Sequence, residues 1–277
     1  MKEIIKMKKT LSLIIALVMV FALCAVSASA EGDTLILGTS ADYAPFEFMY
    51  ADDNGEMVYG GIDVSVAKYI AEDMGKELKI ENMSFDYLLT SLAKGDYDIV
   101  IAAMESTEER QNAADFSDPY YTDVPPMILV KKENADGCKT LADLSGKYVG
   151  AQTATTKLDI VNGIEGATPV ALANVNDLVN ELVYDKVDAV VLDGAVALEF
   201  AKTNPDLVVA DASSELGEAA PYCVAVAKGD PKGLLPAINA AIAKMTEEKA
   251  VDQFIADASA LVDSGAAEEV SADAPEA

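Results

Sequence analysis

Apolar and polar positions alternate in short blocks along residues 34–261, and the blocks predict strands and helices in turn. The apolar run 34–38 ends at Gly38 and predicts the first strand. Ile62, Val64, Val66, Ala67, Ile70, Ala71 and Met74 recur at helical spacing up to Gly75 and predict an amphipathic helix. Residues 78–83 predict a strand, 85–94 a helix stopped by Gly95, and 98–102 a buried strand. The stretch 118–126, with three prolines, reads as turns. Beyond it the alternation restarts, with strands at 127–131, 147–151 and 188–192 and helices at 175–184 and 195–202. A further strand is predicted at 222–228, then a long helical stretch that begins near Pro231 and runs to Leu261. Such alternation predicts the α/β class, with largely parallel sheets in two successive units. The remainder, 263–277, is rich in Ala, Glu and Asp and predicts a disordered acidic tail.

The N-terminus departs from this pattern. An apolar run at 11–26 follows Lys2, Lys6, Lys8 and Lys9 and precedes Ala28-Ser29-Ala30, which predicts a cleaved signal peptide over 1–30 and an exported, periplasmic or cell-surface protein. An uncleaved anchor is the alternative, and Cys24 offers lipid attachment, although the bulky Leu23 precedes it. The chain of 277 residues has room for two units with a sizeable core. Loss of residues 1–30 removes four lysines and one glutamate from 20 basic and 47 acidic residues, leaving 16 and 46 and a net charge of −30. A surface so acidic repels nucleic acid and anionic lipid, so neither is an expected partner.

The chain contains no histidine, which excludes Ser-His-Asp and Cys-His catalysis and every histidine-containing metal site. No metal or cofactor is expected. Only Cys138 and Cys223 follow the signal segment; export would permit them to pair, yet two free, partly buried thiols are the favoured expectation. Of the 20 basic residues one alone is arginine, Arg110. Its planar, two-pronged guanidinium suits a carboxylate as lysine does not. Asp193 follows the apolar run 189–192, which puts a carboxylate at the carboxyl end of a strand, where α/β folds bind ligands; it also suits the N-cap of the next helix.

Six strings occur in register: LILGTSADYAPFEF (35–48), GIDVSVAKYIAEDMG (61–75), FDYLLTSLAKGDYDIVIAAM (85–104), TEERQNAADFSDPYY (107–121), LADLSGKYVGAQTATT (141–156) and DAVVLD (188–193). Together they make the chain resemble the polar amino-acid-binding proteins of ABC transporters, the bacterial extracellular solute-binding proteins of family 3, from about residue 34 to 260. The resemblance implies a two-lobed periplasmic-binding-protein type II fold with two hinge crossings. Lobe 1 would comprise 31–120 and 223–262, lobe 2 residues 125–217, and the crossings 120–124 and 218–222.

It further implies a monomer that closes on an amino acid and delivers it to the permease subunits, touching the membrane only through the transporter or a lipid anchor. By that resemblance Arg110 grips the ligand carboxylate, Asp193 accepts from its ammonium, and Tyr43 and Phe85 sandwich its aliphatic part. The carbonyl of Ala103 faces the amine, and the N–H groups at Thr155 and Thr156, where a helix begins, add donors. Three positions depart from the family pattern. Glu105 stands where Ser or Thr is usual, Gln152 occupies a variable side-chain-reading position, and Ala154 replaces a glycine. Glu105 either points inward, favouring a ligand with additional positive charge, or turns outward into solvent. Two other functions share the scaffold: an enzyme of the cyclohexadienyl-dehydratase kind, with Glu105 its sole candidate acid, and a sensory ligand-binding domain.

Overall fold

The structure is a computed structural model and describes residues 34–265; the signal-peptide expectation and most of the predicted tail lie outside that range. The first sheet has the order β5-β1-β6-β13-β7. It is built from β1 (Thr34–Thr39), β5 (Glu77–Asn82), β6 (Ile99–Val100), β7 (Ala114–Thr122) and β13 (Pro221–Ala227). β1 lies parallel to both β5 and β6, with Leu37 opposite Ile80 on one side and Ile99 on the other. β13 runs antiparallel to β6 and β7. The second sheet, β10-β9-β11-β8-β12, repeats the plan. Its parallel centre is β9 (Tyr148–Gln152) between β10 (Thr168–Leu172) and β11 (Ala189–Leu192), and β8 (Met127–Lys131) pairs antiparallel with β11 and β12 (Leu207–Val209). The chain passes from the first sheet to the second between Thr122 and Met127 and returns between Val209 and Pro221.

Each sheet is therefore mixed, not largely parallel, because the strands that carry the chain across pair antiparallel on arrival. For the same reason the expected turn at 118–126 is strand as far as Thr122. A third, small sheet joins β2 (Asp42–Tyr43), β3 (Glu47–Ala51) and β4 (Met57–Gly60). Its hairpin turn is held by Asp52, whose Oδ1 accepts from the N–H groups of Asn54 and Glu56 at 2.9 and 2.8 Å.

Helices pack on these sheets through the faces that periodicity predicts. In α1 (Ile62–Asp73) the residues Ile62, Val64, Val66, Ala67, Ile70 and Ala71 are all buried. Its first N–H groups are satisfied from outside the helix, Ile62 by the Pro45 carbonyl at 3.0 Å and Asp63 by the Phe46 carbonyl at 2.9 Å. The expected helix at 85–94 opens with a 3₁₀ turn (Phe85–Tyr87) before α2 (Leu88–Lys94). Beyond α3 (Glu108–Ala113) the second unit carries α4 (Thr156–Gly163), α5 (Val175–Val183) and α6 (Gly194–Thr203).

The expected single C-terminal helix is two, α7 (Leu235–Glu247) and α8 (Ala250–Asp263), which both pack on α1. They are separated at Lys249, whose φ of 55° interrupts the helical path. Pro236, not Pro231, occupies the first turn, where a missing N–H costs nothing. Asp263, assigned by its composition to the tail, ends α8, and Val262 beside it is buried. Cys138 and Cys223 are free and buried, one in each unit. Among the described residues no helix is long and apolar enough to cross a membrane.

Candidate ligand-binding site

A cavity lies between the two large sheets. Eight of the nine residues singled out in the sequence line it: Tyr43, Phe85, Ala103, Glu105 and Arg110 from the first unit, and Gln152, Thr155 and Asp193 from the second. Thr156 instead lies at an outer mouth, with Phe85, Arg110 and Ala154.

Arg110 sits in the first turn of α3, where the Thr107 Oγ1 accepts its backbone N–H at 3.2 Å. Its guanidinium lies 5.2 Å from the centre of the Phe85 ring. Nη1 donates to the Glu105 carbonyl at 3.0 Å and Nη2 to the Ala154 carbonyl at 3.1 Å, one in each unit. Burial pulls the Arg110 pKa below its ordinary value, against the opposing pull of Glu105 and Asp193. A guanidinium still keeps its charge, so this is a fixed cation with further N–H groups to offer.

Asp193 occupies the N-cap position of α6, but its side chain makes no capping bond. The carboxylate turns into the cavity, where Oδ2 accepts from the Tyr43 hydroxyl at 2.8 Å and Oδ1 pairs with the Lys157 ammonium at 2.5 Å. Tyr43 thus serves as a buried polar clasp as well as an apolar wall. Its phenol is held well above its usual pKa by burial and the Asp193 charge, so it stays a donor.

Glu105 points inward, 7% exposed, yet leaves no unpaired charge. Oε1 accepts from Lys157 at 2.9 Å and Oε2 stands 3.9 Å from Arg110 Nη1. The preference for added positive charge that an inward Glu105 would confer is therefore cancelled by its own partners. Gln152 spends its amide on the Ala173 carbonyl at 2.9 Å. Ala103 and Ala154 both take positive φ, 44° and 62°, conformations that alanine adopts rarely, and both border the site. The Ala103 N–H donates to Asp63 Oδ2 at 2.6 Å, which anchors this turn to α1.

Four charged residues of the site went unread in the sequence. Lys157 is the foremost, 5% exposed between two carboxylates. A signal was present: it sits in the first turn of α4, where the helix dipole disfavours a cation, so nearby anions must hold it. Asp42 and Glu47 line the cavity too, and Asp63 lies fully buried behind it. Burial raises Asp42 and Asp63 each to about 6, in spite of their hydrogen bonds from Val175 N–H and Ala103 N–H respectively. Glu47, 1% exposed, has no hydrogen-bond donor to either carboxyl oxygen among the described residues. Burial and the Asp63 charge push it well above the usual carboxylate range.

Known proteins share this arrangement of chain. The chain is 37% identical over 220 residues to the arginine-binding extracellular protein ArtP of Bacillus subtilis, covering 76% of this chain and 83% of that one. The amino-acid ABC transporter substrate-binding protein AbpA of Streptococcus pneumoniae, solved bound to L-arginine, superposes with a TM-score of 0.77 at 34% identity, over 82% of this chain and 94% of that chain. A Salmonella typhimurium periplasmic binding protein described for high arginine specificity gives a TM-score of 0.72 at 33% identity, over 80% and 96%. The profile of the bacterial extracellular solute-binding proteins, family 3, matches residues 35–257, and with nearly the whole described structure inside that match, the chain belongs to that family.

Proposed function

We propose that this protein is the substrate-binding component of an amino-acid ABC transporter and that its ligand is a basic L-amino acid of the arginine class. The observation that carries the ligand class is the charge of the cavity wall. Asp42, Glu47, Glu105 and Asp193 share the lining with Arg110 and Lys157, and burial pushes Glu47 toward its neutral form. Carboxylates thus outnumber cations on this wall at neutral pH. A ligand whose side chain carries a cation answers Asp42, whereas one with an uncharged side chain leaves that charge unanswered. The arginine named in several relatives supports the same reading.

Arg110 takes the carboxylate and Asp193 the α-ammonium, from opposite units. Phe85 and Tyr43 cover the aliphatic stem. Ser40, Asp42 and Glu47 line the wall left for the side-chain cation. The two units act as lobes that close about the crossings at 120–124 and 218–222 and expel water from the ligand. Export through the segment 1–30 and action as a monomer that hands the ligand to permease subunits complete the reading.

Titration calorimetry with a panel of amino acids tests it: arginine or lysine should bind most tightly, and tightest binding by an acidic amino acid would sink it. Asp42 adds a pH test. Its pKa of about 6 means that acidification through pH 6 removes its charge. The preference for arginine over citrulline, its uncharged counterpart, should fall between pH 7 and pH 5, while citrulline binding itself changes little. A constant ratio would show that Asp42 does not read the side chain.

A further inference from the structure

Lys157 places an ammonium where the ligand reading calls for one. Its Nζ lies 2.5 Å from Asp193 Oδ1, 2.9 Å from Glu105 Oε1 and 3.1 Å from Thr156 Oγ1. With Tyr43 on Oδ2, both oxygens of the Asp193 carboxylate are already satisfied by the protein. The groups facing Lys157 come from several elements: Glu105 from the segment after β6, Asp193 from the end of β11, Arg110 from α3 and Tyr43 from β2. Burial lowers the affinity of Lys157 for its proton, but Asp193 and Glu105 together outweigh it, and the ammonium is charged.

An ordinary amine-reading site discriminates strongly against a ligand that lacks the amine. Its buried acceptors are then left unpaired, and the analogue is rejected by a factor of about 10⁴. That rejection requires a carboxylate with no other cation to turn to. Here Asp193 has one.

We propose that Lys157 is an internal substitute for the ligand's α-ammonium, so that this cavity also accepts guanidino- and amino-carboxylates without an α-amino group. When an α-amino acid enters, its ammonium takes over Asp193 and Lys157 stays on Glu105, 2.9 Å away. When a des-amino ligand enters, Lys157 keeps both carboxylates, so neither Asp193 nor Glu105 is left without a cationic partner. The pairing of Glu105 with Lys157 is then functional: Glu105 is the second position that lets Lys157 yield Asp193 without losing its own partner. The inference rests on the reading that Arg110 takes the carboxylate and an acidic wall takes the side-chain cation.

The test compares arginine with 5-guanidinopentanoate, the same molecule without its α-ammonium, by titration calorimetry at pH 7. In the natural protein the two should differ by less than about tenfold, against the roughly 10⁴ of an ordinary amine-reading site. In Lys157→Gln the ratio should rise to about a hundredfold or more, because only the α-amino ligand can then neutralise Asp193. Glu105→Ser/Lys157→Gln, which removes one charge of each sign, should show the same widened ratio. It guards against misfolding of the single variant, with folding of both checked by circular dichroism.

A ratio above a hundredfold in the natural protein overturns the proposal, as does a ratio unchanged in both variants. Failure of arginine to bind at all would instead count against the ligand reading. The comparison then passes to whichever amino acid binds and its own des-amino analogue, with the same ratios expected.

Discussion

Arg110→Ala should weaken amino-acid binding by about a hundredfold or more, equivalent to ~3 kcal/mol, with Arg110→Lys recovering only a small part. The size follows from how the guanidinium is held. Stacking over Phe85 and bonds to the carbonyls of Glu105 and Ala154 fix its plane before ligand arrives, so little order is lost on binding. A carboxylate meeting it is bound by charge-assisted donors in a desolvated cavity, where such bonds are strongest. Lysine restores the charge as a mobile point donor without the fork, and cannot reach both carbonyls while facing a ligand. The alanine variant also leaves Glu105 with Lys157 as its only remaining ion-pair partner among the described residues. Calorimetry with the tightest-binding amino acid decides the matter: a loss below threefold would place the carboxylate grip elsewhere.

Gly61→Ala should lower the midpoint of thermal unfolding by about 6–12 °C, the shift that ~3 kcal/mol produces in a chain of this size class. Gly61 has φ of 116°, and an added Cβ would lie 2.1 Å from the Phe46 carbonyl oxygen and 2.6 Å from its carbon. Both atoms are backbone, so no side chain can move aside. The same carbonyl accepts the Asp63 N–H at 2.9 Å, so the close approach that glycine permits is also what caps α1. Relief of the clash would shift Phe46 and Glu47 away from Asp63 and disturb the turn at Ala103 that Asp63 holds. Binding should weaken along with stability. Circular dichroism melts would read the effect, and a drop under 3 °C would mean that the entry to α1 is adaptable.

The regular elements were visible where burial acts on one face of a long segment. α1 is the clearest case: its apolar spacing and the glycine after it correspond to the observed face and length. The strands at Met127–Lys131 and Ala189–Leu192 were equally plain, being continuous apolar runs buried on both sides. β2–β4 escaped because each strand is short and partly exposed, so alternation has too few positions to register. β7 escaped because Pro119 and its neighbours carry turn chemistry. Pairing with β13 keeps that stretch extended all the same. The break at Lys249 has no glycine or proline to announce it.

Within the site, the sequence alone determined the two residues whose chemistry is unusual for their surroundings. Arg110 is a solitary arginine among lysines, and Asp193 is a carboxylate at the end of a buried strand. Their charges, and the strand-end placement of Asp193, are local properties, readable from neighbours in the chain. Only the tertiary structure decided where Glu105 points and what it meets. Its partner Lys157 is 52 residues away, and the Tyr43–Asp193 bond spans 150. The raised pKa values of Asp42 and Asp63 likewise depend on burial between elements distant in sequence. An ion pair or a shifted pKa is set by distance and desolvation in space, and local periodicity carries neither. Whether a buried charge stands alone for a ligand or is already answered by the protein is thus settled by packing between the two sheets.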